Sequence, residues 1–133
     1  MNKQVNNKTT SILYNKTEDL IIMLNTALSN FPSFEKYGIQ SQIRTSAYDV
    51  LCGIIECEKR YQNKTSLTKL DVRHEQLRCI INISFKMGYF HYKNGKTGRT
   101  DSEAIRIYSR ISLMVDEIGR LIGFYINQTN SKG

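Results

Sequence analysis

Two histidines and three cysteines are the first places to look for chemistry in this 133-residue chain. His74 falls on an apolar helical stripe and reads as a core or interface histidine rather than a ligand. His91 stands in a basic loop, where an exposed ring is the default reading. Two histidines are one short of the usual ligand set of a catalytic zinc, and no Glu-x-x-His pairs occur to build a di-iron site. Cys52, Cys57 and Cys79 cannot all pair and contain no Cys-x-x-Cys, so a reduced, cytoplasmic compartment is the simpler expectation. Cys79 reads as a small apolar filler of the third helix. The adjacent acids Asp116 and Glu117 point to different helix faces and make no carboxylate dyad. No Gly-rich phosphate loop and no Gly-x-Ser-x-Gly appears. The residues describe a protein that is not an enzyme and needs no metal or cofactor.

What the chain does carry is charge. Lys and Arg number 19 against 12 Asp and Glu, a formal net charge of +7. Such an excess on a small domain points to a polyanion, with nucleic acid first and an acidic membrane surface second. Between Gln76 and Thr100 stand five basic residues (Arg78, Lys86, Lys93, Lys96, Arg99) and no acid. Phe85, Tyr89, Phe90 and Tyr92 are interleaved with them. Cations neutralise phosphates and aromatic faces stack unpaired bases, so this stretch is a candidate nucleic-acid surface. Arg106 and Arg110 share a face of the last helix, with Arg120 further along it. Lys59 and Arg60 close the second helix, and Lys69 and Arg73 form a same-face pair on the third. Some of these cations should find partners inside the chain: Glu75 with Arg78, and Glu117 with Arg120, have i to i+3 spacing. No helix-turn-helix spacing or zinc finger supplies a base-reading element. Binding is therefore expected to be salt-sensitive and weakly sequence-selective.

Four helices must position these groups. Apolar residues recur at helical spacing along Leu13, Leu20, Leu24, Ala27 and Phe31, and the stripe ends at Phe31-Pro32. A second stripe runs Ile39, Ile43, Ala47, Leu51 and Ile54, with Val50 beside it and Gly53 marking a close helix contact. The third is Leu67, Leu70, His74, Leu77, Ile81 and Ser84, widened by Ile80, Ile83 and Met87. Thr65 or Ser66 is expected to cap its start, and Gly88 its end. The fourth opens at the capping residues Thr100 to Glu103 and carries Ala104, Tyr108, Ile111, Val115, Ile118, Ile122 and Tyr125. Residues 89–99 contain Asn94-Gly95, which fits either a helix-helix loop or a short hairpin; a loop is expected. The predicted architecture is all-α, an antiparallel up-down four-helix bundle over residues 10–128. Its helices span about 10–30, 36–62, 66–88 and 100–127, flanked by polar tails at 1–9 and 129–133. The longest apolar run, Leu20 to Leu24, is far short of the ~20 residues needed to cross a bilayer. Gly119 and Gly123, four apart on one face, serve internal packing or a subunit interface.

Two segments resemble a known family. Leu70-Asp71-Val72-Arg73-His74-Glu75-Gln76-Leu77-Arg78 is similar to Leu-Asp-Val-x-x-Glu-x-Leu-Arg of the accessory variability determinant (Avd) proteins of diversity-generating retroelements. Glu117-Ile118-Gly119-Arg120-Leu121-Ile122-Gly123-Phe124-Tyr125-Ile126 resembles their C-terminal Glu-Ile-Gly-Arg-Met-Leu-Gly-Gly-Trp-Ile, with Phe124-Tyr125 standing where the family has Gly-Trp. The resemblance implies a basic four-helix bundle assembled as a barrel-shaped homopentamer. It also implies partners: the element's reverse transcriptase, and RNA and DNA, during mutagenic copying of a template repeat into a variable gene. Arg78 and Arg120 occupy family basic positions. Glu35-Lys36-Tyr37-Gly38-Ile39-Gln40-Ser41-Gln42-Ile43-Arg44 is similar to a motif of the four-helix proteins encoded in ribosomal RNA intervening sequences, although their Asn-Ile-Ala-Glu-Gly is missing here. That sister resemblance implies a role in ribosomal RNA or protein interaction as the alternative.

Overall fold

The computed structural model describes the backbone of residues 2–132 and the side chains of residues 12–131. Its helices are α1 (Asn2–Leu28), α2 (Ile39–Lys59), α3 (Lys64–Lys86) and α4 (Asp101–Lys132). The expected tails at 1–9 and 129–133 fall partly on residues whose side chains lie outside this description. At 1.5 Å per residue the 32-residue α4 is about 48 Å long. Neighbouring helices run antiparallel, with α1 and α3 each packed between α2 and α4. Lys16 near the middle of α1 reaches Glu117 near the middle of α4 at 3.2 Å, and Asn30 just past α1 shares a groove with Arg99 just before α4.

The apolar stripes meet in one core. Leu13, Leu20, Leu24, Ile43, Ala47, Ile54, Leu70, Leu77, Ile111 and Ile118 are all buried. On α2 the buried side of the stripe passes through Val50 and Cys57, while Leu51 is only half-buried. Cys57, not Cys79, is the cysteine that fills core space, which corrects the sequence reading. Cys79 is exposed because it lies two positions from both Leu77 and Ile81, on the outer face of α3, and Ile83 and Met87 are exposed as well. Gly53 does mark a close contact: a Cβ there would sit 3.0 Å from Leu70 Cδ1 on α3.

Local chemistry sets the ends of the elements. Asn63, rather than Thr65 or Ser66, caps α3, its side-chain oxygen accepting from the Ser66 N–H at 2.8 Å. Gly88 ends α3 in the left-handed region at φ 82°. Thr100 and Glu103 form a reciprocal capping box at the start of α4: the Thr100 hydroxyl accepts from the Glu103 N–H, and the Glu103 carboxylate from the Thr100 N–H.

Residues 89–99 are not an irregular loop. A 3₁₀ turn (Tyr89–His91) leads into a two-stranded antiparallel hairpin, β1 (Tyr92–Lys93) and β2 (Lys96–Thr97), with Tyr92 opposite Thr97. Asn94 and Gly95 have φ values of 55° and 81°, the left-handed pair that a tight hairpin turn requires. Tertiary contacts secure what so short a ladder could not. The end of α1 receives the turn, with the Asn30 side chain accepting from the Asn94 N–H and the Asn30 carbonyl from the Gly95 N–H.

Candidate functional site

The twelve cations singled out in the sequence separate into two classes. Three are engaged inside the chain. Arg78 is bonded to Glu75 through two nitrogens, Nε at 2.9 Å, and this hydrogen bond holds the Glu75 carboxyl below its ordinary value. Arg73 stands 3.9 Å from Asp49 and Lys69 4.0 Å from Glu56, so both join α3 to α2. The same-face pair of the third helix is thus turned partly to bridging helices. Glu117 pairs with Lys16 across the bundle and not with Arg120.

The other nine have no carboxylate within ion-pairing distance among the described residues: Lys59, Arg60, Lys86, Lys93, Lys96, Arg99, Arg106, Arg110 and Arg120. The fold gathers them unevenly. Lys86 at the end of α3, Lys93 and Lys96 on the hairpin, and Arg99 before α4 share one end of the bundle, with Arg106 in the second turn of α4. Lys59 and Arg60 lie at the opposite end, beside the α2–α3 turn, and Arg120 is exposed on the far half of α4. Arg99 and Arg110 also border an apolar groove of about 430 Å³ between α1 and α4, lined by Ile22, Met23, Ala27, Ile107 and Met114. Asp19 is the acid that lines it.

Acids near the hairpin end are largely occupied. Glu35 accepts from the Tyr89 hydroxyl at 2.7 Å with one oxygen and from the Ile39 N–H at 3.1 Å with the other, and its bond to Tyr89 holds that phenol above its ordinary value. Asp101 meets His91 Nε2 at 2.6 Å. His91 is therefore partnered and partly covered, not the free loop ring expected. Its backbone carbonyl also accepts from the Gly98 and Arg99 N–H groups, tying the strand ends together. The N–H and hydroxyl of Thr100 hold the Glu103 carboxyl below its ordinary value, and Arg106 and Lys93 add to that effect.

The aromatic part of the expected surface is redistributed. Tyr89 and Phe90 are buried, and Phe85 is stacked on Tyr108 with ring centroids 4.0 Å apart. Phe31 meets Phe90 edge-on at 5.3 Å, so these rings close the core instead of facing solvent. The exposed rings at this end are Phe34 and Tyr37, 74% and 87% accessible, in the corner between α1 and α2. Periodicity passes over them because they belong to no helical stripe; the available signal was two aromatics and a lysine just after Pro32.

His74 is buried, as its stripe position predicts, with Nε2 2.8 Å from the Val115 carbonyl. Of the two glycines read as interface candidates, Gly119 is taken up inside the chain: a Cβ there would lie 2.7 Å from His74 Cε1. A Cβ at Gly123 would meet nothing within 4 Å. Among the described residues no cluster of His, Cys, Asp and Glu is arranged to hold a metal ion, and no helix is long and apolar enough to cross a membrane.

Comparison with curated proteins and with solved structures finds no match. A family comparison does: residues 11–129, which take in α2 and α3 whole, most of α1 and α4, and both motifs of the third and fourth helices, match the bAvd-like description. The chain belongs to the bAvd-like family.

Proposed function

We propose that this chain is a non-catalytic accessory subunit of a diversity-generating retroelement. In this reading it is a cytoplasmic homo-oligomer, a pentamer by family resemblance. It binds RNA and DNA with little sequence preference and engages the element's reverse transcriptase during mutagenic retrohoming. Family membership supports the accessory role. One observation carries the nucleic-acid part: nine of the twelve candidate cations stand without an ion-pair partner, and four of them lie on or beside the hairpin end. Each free cation that meets a phosphate releases condensed counterions, so affinity for a strand grows with their number and falls with salt. The groove between α1 and α4, with Ile22 on its wall 63% exposed, is the apolar surface available for contact between copies.

The test is a binding titration against RNA and duplex DNA over a salt series. A steep linear fall of log affinity with log salt is expected. Charge reversal at Lys93, Lys96 and Arg99 together should weaken both ligands alike, because phosphate contacts do not distinguish bases. Affinity indifferent to salt, or unchanged by the triple reversal, overturns the nucleic-acid reading. Co-purification with the reverse transcriptase encoded beside the gene tests the partner, and light scattering tests the oligomer.

A further inference from the structure

We propose that the hairpin end of the bundle is a stacking platform for the unpaired bases of a single strand. Phe34 and Tyr37 supply the ring faces, and Lys36, Lys93 and Lys96 the phosphate contacts. This rests on the nucleic-acid reading above and sharpens it from any polyanion to single-stranded nucleic acid at a defined place.

Four observations carry it. First, two large rings stand 74% and 87% exposed within four residues of one another, on a chain whose other aromatics at this end are packed inward. Second, Phe34 is held in place. It meets Tyr89 edge-on at 6.1 Å, and Glu35 next to it bonds the Tyr89 hydroxyl on one side and the Ile39 N–H on the other. A ring fixed before binding loses less freedom when a base stacks on it. Third, one cation touches a ring and two more are carried by the neighbouring hairpin. Lys36 Nζ lies 5.5 Å from the Tyr37 ring centre, and the hairpin bearing Lys93 and Lys96 is bonded through Asn94 and Gly95 to Asn30, three residues before Ser33. Gly95 also abuts Ser33 directly, since a Cβ there would lie 2.6 Å from the Ser33 hydroxyl. Fourth, the carboxylates of this end are already committed: Glu35 to Tyr89 and Ile39, Asp101 to His91, and Glu103 to Thr100. Rings beside lysines that make no direct ion pair match the alternation of base and phosphate along an unpaired strand. A duplex keeps its bases stacked on one another and offers these rings nothing.

The chain has no tryptophan, so Phe34→Trp places a single fluorescent reporter on the platform. Short oligo-dT should quench it, and duplex DNA of the same sequence at the same salt should not. Phe34→Ala combined with Tyr37→Ala should weaken oligo-dT binding roughly 5- to 100-fold while leaving duplex affinity within about twofold. Tyr37→Phe should retain binding, because the face and not the hydroxyl is used. Equal loss on both ligands, or no loss on either while the wild type binds both, overturns the platform and leaves the general nucleic-acid reading standing. Failure of the wild type to bind either ligand at low salt removes the reading on which it rests. If the double alanine variant changes oligomeric state with single-strand affinity intact, the rings are a contact between copies and the proposal fails.

Discussion

His74 fills the space that a side chain at Gly119 would occupy. The imidazole reaches from α3 across to α4, with Nε2 2.8 Å from the Val115 carbonyl and Cε1 2.7 Å from where a Cβ of residue 119 would stand. A buried ring bonded to the Val115 carbonyl cannot back away from a new methyl one turn further along the same helix without losing that bond. This ties the two segments that carry the family resemblance to each other, one motif holding the histidine and the other the glycine.

Gly119→Ala is therefore expected to destabilise the bundle by about 1–3 kcal/mol, although alanine favours helix over glycine by about 1 kcal/mol. In a His74→Ala background the obstruction is gone, and the same change should become neutral or stabilising. Urea midpoints of the two single variants and the double variant give the coupling directly. Additive effects would show that the ring and the glycine do not interact.

The cysteines should differ in reactivity. Burial, with Glu56 nearby, pushes the Cys57 thiol up to about 11, so it has almost no thiolate near neutral pH and no access to solvent. Cys52 and Cys79 are exposed. Alkylation of the native protein followed by peptide mass spectrometry should modify Cys52 and Cys79, with Cys57 reacting only after unfolding.

The hairpin should be fragile at its turn. Gly95→Ala forces a β-carbon into the left-handed region at φ 81° and should cost roughly 1–2 kcal/mol. Asn30→Ala removes the acceptor of the Asn94 N–H and frees the turn without touching its backbone preference. Hydrogen exchange at Asn94 should accelerate in both variants, and thermal denaturation should register the glycine change more strongly.

Acid should weaken the fold through two surface carboxylates. Arg78 holds Glu75, and Thr100 holds Glu103, below the ordinary value of 4.5. The folded protein therefore binds these protons less readily than the unfolded chain. The stabilisation they provide is present above about pH 4.5 and disappears as pH falls through the lower folded values. Glu103→Gln should flatten the acid side of the stability–pH curve, and a curve of unchanged slope would remove the capping box from the account.

Much of this protein is determined by its sequence alone. Helical spacing of apolar residues, a proline after the first stripe and a capping sequence before the last specify four helices, because periodicity and capping are local properties of the chain. Composition likewise determines the cationic excess. The Glu75–Arg78 pair is legible from its spacing, but tertiary structure decides most of which charges remain free, since Arg73 and Lys69 resemble Arg106 and Arg110 until acids of α2 are placed beside them. It also decides that Phe90 turns inward while Phe34 faces outward, a choice set by whether Phe31 and Tyr108 close over the ring. The hairpin belongs to the same class. Asn94-Gly95 permits the reversal locally, but it becomes a fixed element only because Asn30, over sixty positions away in the chain, accepts both of its N–H groups.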